Sequence, residues 1–246
     1  MEKRTRISLY PRNPVIWLCK IAFFLVVAHL ITIGMPYLLD GFEHGLVRVL
    51  FSLFFLDGEG NLPAIFSTWL FLINAALFLM VRQAAGRAGD SQKIWLVLAI
   101  VFVFLALDES ISIHERLIDP LRQALDATGV FYYAWIIPYG IGVVLLAIVA
   151  IPVFWRMPKR IRFWFVLSAV IYLFAAIGLE MVSGKYLVMM NENKDIVWIL
   201  MVTLEESLEI AGLIILVYAL LLLLRNTYNG FMIIMPGPDD APSQFD

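Results

Sequence analysis

Long apolar runs separated by short polar interruptions dominate the chain. A helix needs about 20 predominantly apolar residues to cross a bilayer. Six stretches answer to that requirement: Pro14 to Leu39, Ala64 to Gln83, Lys93 to Asp108, Phe131 to Trp155, Ile161 to Leu187, and Asp195 to Leu224. The third carries a polar continuation towards Leu117, and Pro120 is expected to interrupt it. Gly45 to Leu56 is apolar but short, and reads as an interfacial or re-entrant helix. The pattern predicts an all-α, polytopic transmembrane helical bundle of six spans, with residues 1–234 as a single domain. Residues 235–246 hold Pro236, Pro238, Pro242 and three aspartates, have no apolar period, and read as a disordered tail.

The interruptions give an orientation. Lys3, Arg4, Arg6 and Arg12 precede the first run; Arg82, Arg87 and Lys93 follow the second; Arg156, Lys159, Arg160 and Arg162 follow the fourth; Arg225 follows the sixth. The alternate loops are acidic or mixed. The positive-inside rule places both termini in the cytoplasm, which an even number of spans satisfies. Trp155, Trp164 and Trp198 fall near predicted span ends, as interfacial aromatics do.

Composition agrees: 62% of the residues are hydrophobic and 15% charged, against about 45–50% and about 25% in soluble domains. The net charge of −2 and the scattered basic residues offer no nucleic-acid footprint. The first apolar run is too long for a signal peptide and lacks a small-residue cleavage site, so a retained span is expected. Cys19, the single cysteine, is expected to be a buried apolar residue.

Candidate chemistry lies in the acids inside the runs. The third run ends in Asp108-Glu109-Ser110-Ile111-Ser112-Ile113-His114-Glu115. On a continuous helix Asp108, Ser112 and Glu115 form one stripe, Glu109 flanks it, and His114 points away. The fifth run carries Glu180 and Ser183 on one face, between Gly178 and Gly184. The sixth carries Glu205, Glu209 and Gly212 on one stripe, with Glu206 beside it. From a rise of about 1.5 Å per residue, Asp108 lies about 22 Å and Glu180 about 28 Å from the cytoplasmic side, with Glu205 and Glu209 about 15–21 Å below the outer face. These acids can therefore meet in the outer half of the bundle.

An acid at the centre of a membrane helix costs about 2.5–3.5 kcal/mol on insertion scales. Protonation, ion pairing or metal coordination can relieve that cost. The expected basic partners are few: Arg116, Arg122 and Lys185. The reading is a buried carboxylate/histidine cluster that binds metal, with Asp108, Glu109, His114, Glu180, Glu205, Glu206 and Glu209 as ligands. One or two divalent ions, Fe, Mn, Zn or Ca, suit these donors. No haem or nucleotide motif is present. A membrane metalloenzyme acting on a lipophilic substrate fits this site. The alternatives are a proton- or cation-translocating transporter or channel, and an accessory subunit of a larger membrane complex or a homo-oligomer. A transporter predicts a polar path to the cytoplasmic side, yet the inner halves of the runs are apolar.

Two smaller features complete the reading. Asp57, Glu59 and Asn61 alternate like EF-hand ligands, but Leu62 and Thr68 stand where the loop needs glycine and glutamate. A turn capping the second span is expected, with Glu59 able to reach the cluster's mouth. His29, mid-span, is either functional or satisfied by a backbone carbonyl.

The segments Asp57-Gly58-Glu59-Gly60-Asn61-Leu62-Pro63, Asp108 to Glu115, and Glu205-Glu206-Ser207-Leu208-Glu209 resemble a group of small bacterial polytopic membrane proteins of unknown function. That resemblance implies a multi-pass protein of the bacterial inner membrane, in contact with the lipid bilayer, and no particular activity.

Overall fold

The computed structural model describes residues 4–7, 11–38, 45–228 and 231–234. The disordered-tail reading of 235–246 lies outside them. The described chain runs β1 (Arg4–Ile7), α1 (Arg12–Gly34), α2 (Gly45–Phe54), α3 (Leu62–Arg87), α4 (Lys93–Ile111), α5 (Ile113–Leu125), α6 (Ile136–Trp155), α7 (Lys159–Leu173), a π-helical turn over Phe174–Leu179, α8 (Glu180–Met189), α9 (Ile196–Thr227) and β2 (Phe231–Ile234). Six helical segments are long and apolar enough to cross a membrane, counting α7 through α8 as one. The chain is a multi-pass, all-α bundle. The short antiparallel pair β1–β2, not foreseen from the sequence, joins the two ends of the chain on one side of it.

Local chemistry sets the element boundaries. Asn61 accepts the Ala64 N–H at 3.1 Å and starts α3, with Pro63 in the first turn. The loop before it is thus a capping turn. Asp195 accepts the N–H groups of Val197 and Trp198, each at 3.0 Å, and starts α9. Pro120 does not end a helix as expected: it lies inside α5. The break falls earlier, at Ser112, whose φ of 53° is left-handed.

Helix α9 is the axis of the bundle, packed against α1, α3, α7 and α8. Two thirds of its apolar stretch is buried, whereas little of α6 is, and α6 sits at the periphery with Val144, Leu145, Ile148 and Val149 exposed for lipid. Cys19 is exposed on α1, not buried as expected. Trp198 is also a correction, since it is buried at 3% exposure and is no interfacial anchor. Trp155 is exposed and lies under the Arg162 guanidinium.

The half of the bundle nearer the termini is filled by Phe78, Val81, Trp95, Leu98, Phe165, Leu216, Val217, Leu220 and Leu224. A second layer of Leu70, Phe71, Ala106, Ile210, Leu213 and Ile214 lies above it. Gly212 lets α9 approach α7 at this level: a Cβ there would stand 2.8 Å from Tyr172 Cβ, and Ser168 donates to the Gly212 carbonyl at 2.8 Å. These apolar layers form a floor, and the polar side chains gather above it at the far end.

Candidate functional site

Above the floor is a chamber of about 330 Å³. Asp57, Glu59, Asp108, Glu109, Glu115, Glu180, Glu205, Glu206 and Glu209 line it, so nine carboxylates face one space. His114 and Lys194 are the basic side chains in its wall. All seven residues singled out from the sequence as ligands border this chamber. Among the described residues, however, no three His, Cys, Asp or Glu side chains are grouped so as to hold a metal ion.

The α4–α5 junction forms one wall, and here the continuous-helix stripe fails. Because Ser112 turns the backbone left-handed, α5 departs in a new direction and His114 comes back to Asp108. The His114 backbone N–H donates to Asp108 Oδ1 at 2.8 Å, and His114 Nδ1 lies 3.1 Å from Asp108 Oδ2. Asp108 is 5% exposed. Burial alone would lower the imidazole pKa, but the hydrogen bond and charge of Asp108, aided by Glu115 and Glu109, outweigh it and hold His114 above its ordinary value.

The π turn sets the opposite wall. It widens the helix just before Glu180, an irregularity common at functional sites. Glu180 Oε1 accepts the Trp135 indole N–H at 2.8 Å. Trp135 packs against the His114 ring at 5.0 Å and edge-on to Tyr139 at 4.9 Å, so both walls meet at the start of α6. Helix α9 supplies Glu205, Glu206 and Glu209. Glu205 is 7% exposed and has no hydrogen-bond or ion-pair partner among the described residues.

The mouth is made by the α2–α3 turn and α5. Glu115 and Glu59 share a side-chain hydrogen bond, and Glu59 also accepts from Ser112. Burial and the neighbouring Glu59 charge push Glu115 up to about 8. The hydrogen bond with Glu115 holds Glu59 below its usual range, against the effect of burial. Burial raises Asp57 to about 6, with Lys194 and His114 opposing.

His29 anchors this turn from below. Fully buried, it accepts the Leu56 N–H at Nδ1, 3.2 Å away, and its Nε2 lies 2.8 Å from Thr203 Oγ1. Thr203 in turn donates to the Ile199 carbonyl at 2.7 Å. The histidine is thus satisfied by a backbone N–H and a hydroxyl, with the Phe54 backbone also within hydrogen-bond reach. It ties α1 to residues beside Asp57 and Glu205.

Sequence reasoning missed several wall residues. Asp57, Lys194, Tyr133, Trp135, Tyr139 and Tyr172 border the chamber; Asp57 stood out only as part of an EF-hand-like alternation, and nothing in the local sequence marks the others. The basic partners expected from the sequence lie elsewhere: Arg122 pairs with Asp119 at 2.8 Å and Glu192 at 3.8 Å, outside the chamber. Lys185 and Arg116 are exposed.

A domain of unknown function, DUF8692, matches residues 16–224. The chain belongs to that family. The match takes in most or all of each span and the whole chamber wall, so the chamber lies within the family's domain. No curated protein and no solved structure matches the chain.

Proposed function

We propose that this DUF8692 protein binds a positively charged ligand in the chamber, which it opens to the outer side of a bacterial inner membrane. The placement of the chamber outside follows from the arginines and lysines that crowd the terminal end. One observation carries the reading: among the described residues nine carboxylates face one space, with His114 and Lys194 as the basic side chains of its wall. Buried charges are paired or bind cations, because an isolated ion in a low-dielectric site is too costly. A resident cation relieves this excess, and protons take its place when it leaves.

The apolar floor of Leu70, Phe71, Ile210, Leu213 and Ile214 weighs against a channel, which needs a polar path through both halves. An accessory role in which the acids serve packing is weighed down by the chamber itself, since packing would fill it. A divalent metal ion bound by Asp108, Glu109, His114, Glu180, Glu205, Glu206 and Glu209, with hydrolytic or redox chemistry on a lipophilic substrate, remains within this reading. It requires the carboxylates to be drawn together around the ion.

Native mass spectrometry of the full chain, released from detergent and paired with elemental analysis, tests the proposal. A stoichiometric cation in the wild type, absent from a Glu205→Gln, Glu209→Gln double variant, is the expected result. A wild type that carries no cation after growth with metals and amines supplied would overturn it. The same spectra give the oligomeric state.

A further inference from the structure

We infer that the chamber's ligand is an organic polyammonium, a flexible chain bearing two or more amine cations. The inference rests on the cation-binding reading above and names the class of cation.

The spread of the acids comes first. A metal ion needs several donors converging on one point at about 2.0–2.6 Å. No three of the described acids and histidines are grouped that way. Some are already committed: both Asp108 oxygens face His114, and Glu180 holds Trp135. The remaining acids are distributed, and of them Glu209 also accepts from the Tyr172 hydroxyl while Glu205 and Glu109 have no such partner among the described residues. Glu205 and Glu209 are one helical turn apart on α9, about 6 Å of rise, and Glu109 stands across the chamber on α4. Separate ammonium groups can each take a charge-assisted hydrogen bond where its carboxylate stands.

The volume points the same way. One water claims about 30 Å³ of liquid, so a chamber of about 330 Å³ is an order of magnitude larger than an ion-sized occupant needs. It falls within the range of small-molecule pockets, about 300–1,000 Å³. The walls are also mixed in the way an alkylamine requires. Tyr133, Trp135, Tyr139 and Tyr172 supply aromatic surface for methylene spacers and for cation–π contact. Lys194, the one alkylammonium among the described wall residues, already uses such a contact: its Nζ lies 4.3 Å from the centroid of Trp198.

Glu205 supplies an independent indication of a missing partner. It is 7% exposed, borders the chamber and has neither a hydrogen bond nor an ion pair among the described residues. A carboxyl held there without a partner is an open position for a cationic donor.

Isothermal titration calorimetry on the full chain in lipid nanodiscs decides the class, with spermidine and MnCl₂ as separate probes. Saturable spermidine binding is expected, weakened about tenfold or more by Glu205→Gln and not displaced by equimolar Mn²⁺. Glu209→Gln, read the same way, serves if Glu205→Gln fails to fold. Binding of Mn²⁺ that depends on Glu205, with no spermidine binding, overturns the polyammonium inference and leaves the cation reading standing. Binding of neither probe to the wild type overturns the inference. Whether the broader reading also falls is decided separately, by the mass-spectrometric search for a co-purifying cation.

Discussion

Asp108 holds His114 twice, through the backbone N–H at 2.8 Å and through the ring Nδ1 at 3.1 Å. One carboxylate thus caps the start of α5 and orients an imidazole into the chamber wall. The helix it caps has no fully buried residue, so this contact is a principal tie between α5 and the bundle. Asp108→Ala should cost about 1–2 kcal/mol locally, as the loss of a helix cap does. Hydrogen exchange over residues 113–125 should then accelerate while α3 and α9 keep their protection.

The same pair makes stability depend on pH. His114 has its pKa raised above 6.5 in the fold. Its contribution is fully present below the unfolded value and is lost as pH rises through the folded one. Asp108→Asn removes the charge that raises it. An NMR titration of His114 should show a lower pKa in the variant, and thermal melts should lose part of their slope above pH 6.5.

Glu115 gives a slope of the same sign over a wider window. It is raised from 4.5 to about 8, so the unfolded chain loses its proton first as pH rises. Stability should therefore fall between those two values. Glu59, held low, acts oppositely: its contribution is lost only when pH falls through its folded value. Glu115→Gln keeps a donor for Glu59 and cannot ionise. Its melting temperature at pH 8 should exceed that of the wild type, with a flatter profile above pH 4.5.

His29→Ala leaves the Leu56 N–H and the Thr203 hydroxyl to find new partners. An unsatisfied buried group costs about 1–3 kcal/mol, and hydrogen bonds within membrane bundles average nearer 0.6. A lowered melting temperature is expected, with Thr203→Val milder because its loss spares the Leu56 contact. Faster exchange at residues 56–60 would show that the histidine positions the Asp57 turn.

Gly212→Ala sets a methyl 2.8 Å from Tyr172 Cβ, and overpacking of this kind costs about 1–3 kcal/mol. Helices α7 and α9 must part at the level of the chamber floor. Thermal stability should drop, and cation binding should weaken with it, although residue 212 does not border the chamber.

The spans were legible because run length reports the thickness of the bilayer directly, and the charged acids within them stood out against that apolar ground. The capping turn before the second span was legible because such a turn is a local feature, although Asn61 was not singled out as its cap. The break at Ser112 was not: Ile111-Ser112-Ile113 holds no glycine or proline, and a helical phase carried through it sends His114 the wrong way. The π turn before Glu180 was not legible either, since its one glycine, Gly178, suits an ordinary membrane helix equally well. Asp57, Lys194 and the tyrosines reach the chamber through loop paths and helix placement, which are tertiary facts. Cys19 was misjudged because a helix apolar on every side does not reveal which face meets lipid.

The central claim, a cation held by the chamber acids, is tested most directly by ligand-linked stabilisation of the full chain. A ligand at one hundred times its Kd stabilises by about 2.7 kcal/mol, which for a chain of this size raises Tm by roughly 5–10 °C. Mn²⁺, Ca²⁺ and spermidine, each added to the wild type and to the Glu205→Gln, Glu209→Gln double variant, provide the comparison. At least one should raise the wild-type Tm by about that amount and leave the variant unmoved. No shift with any of them, or an equal shift in the variant, would contradict the account.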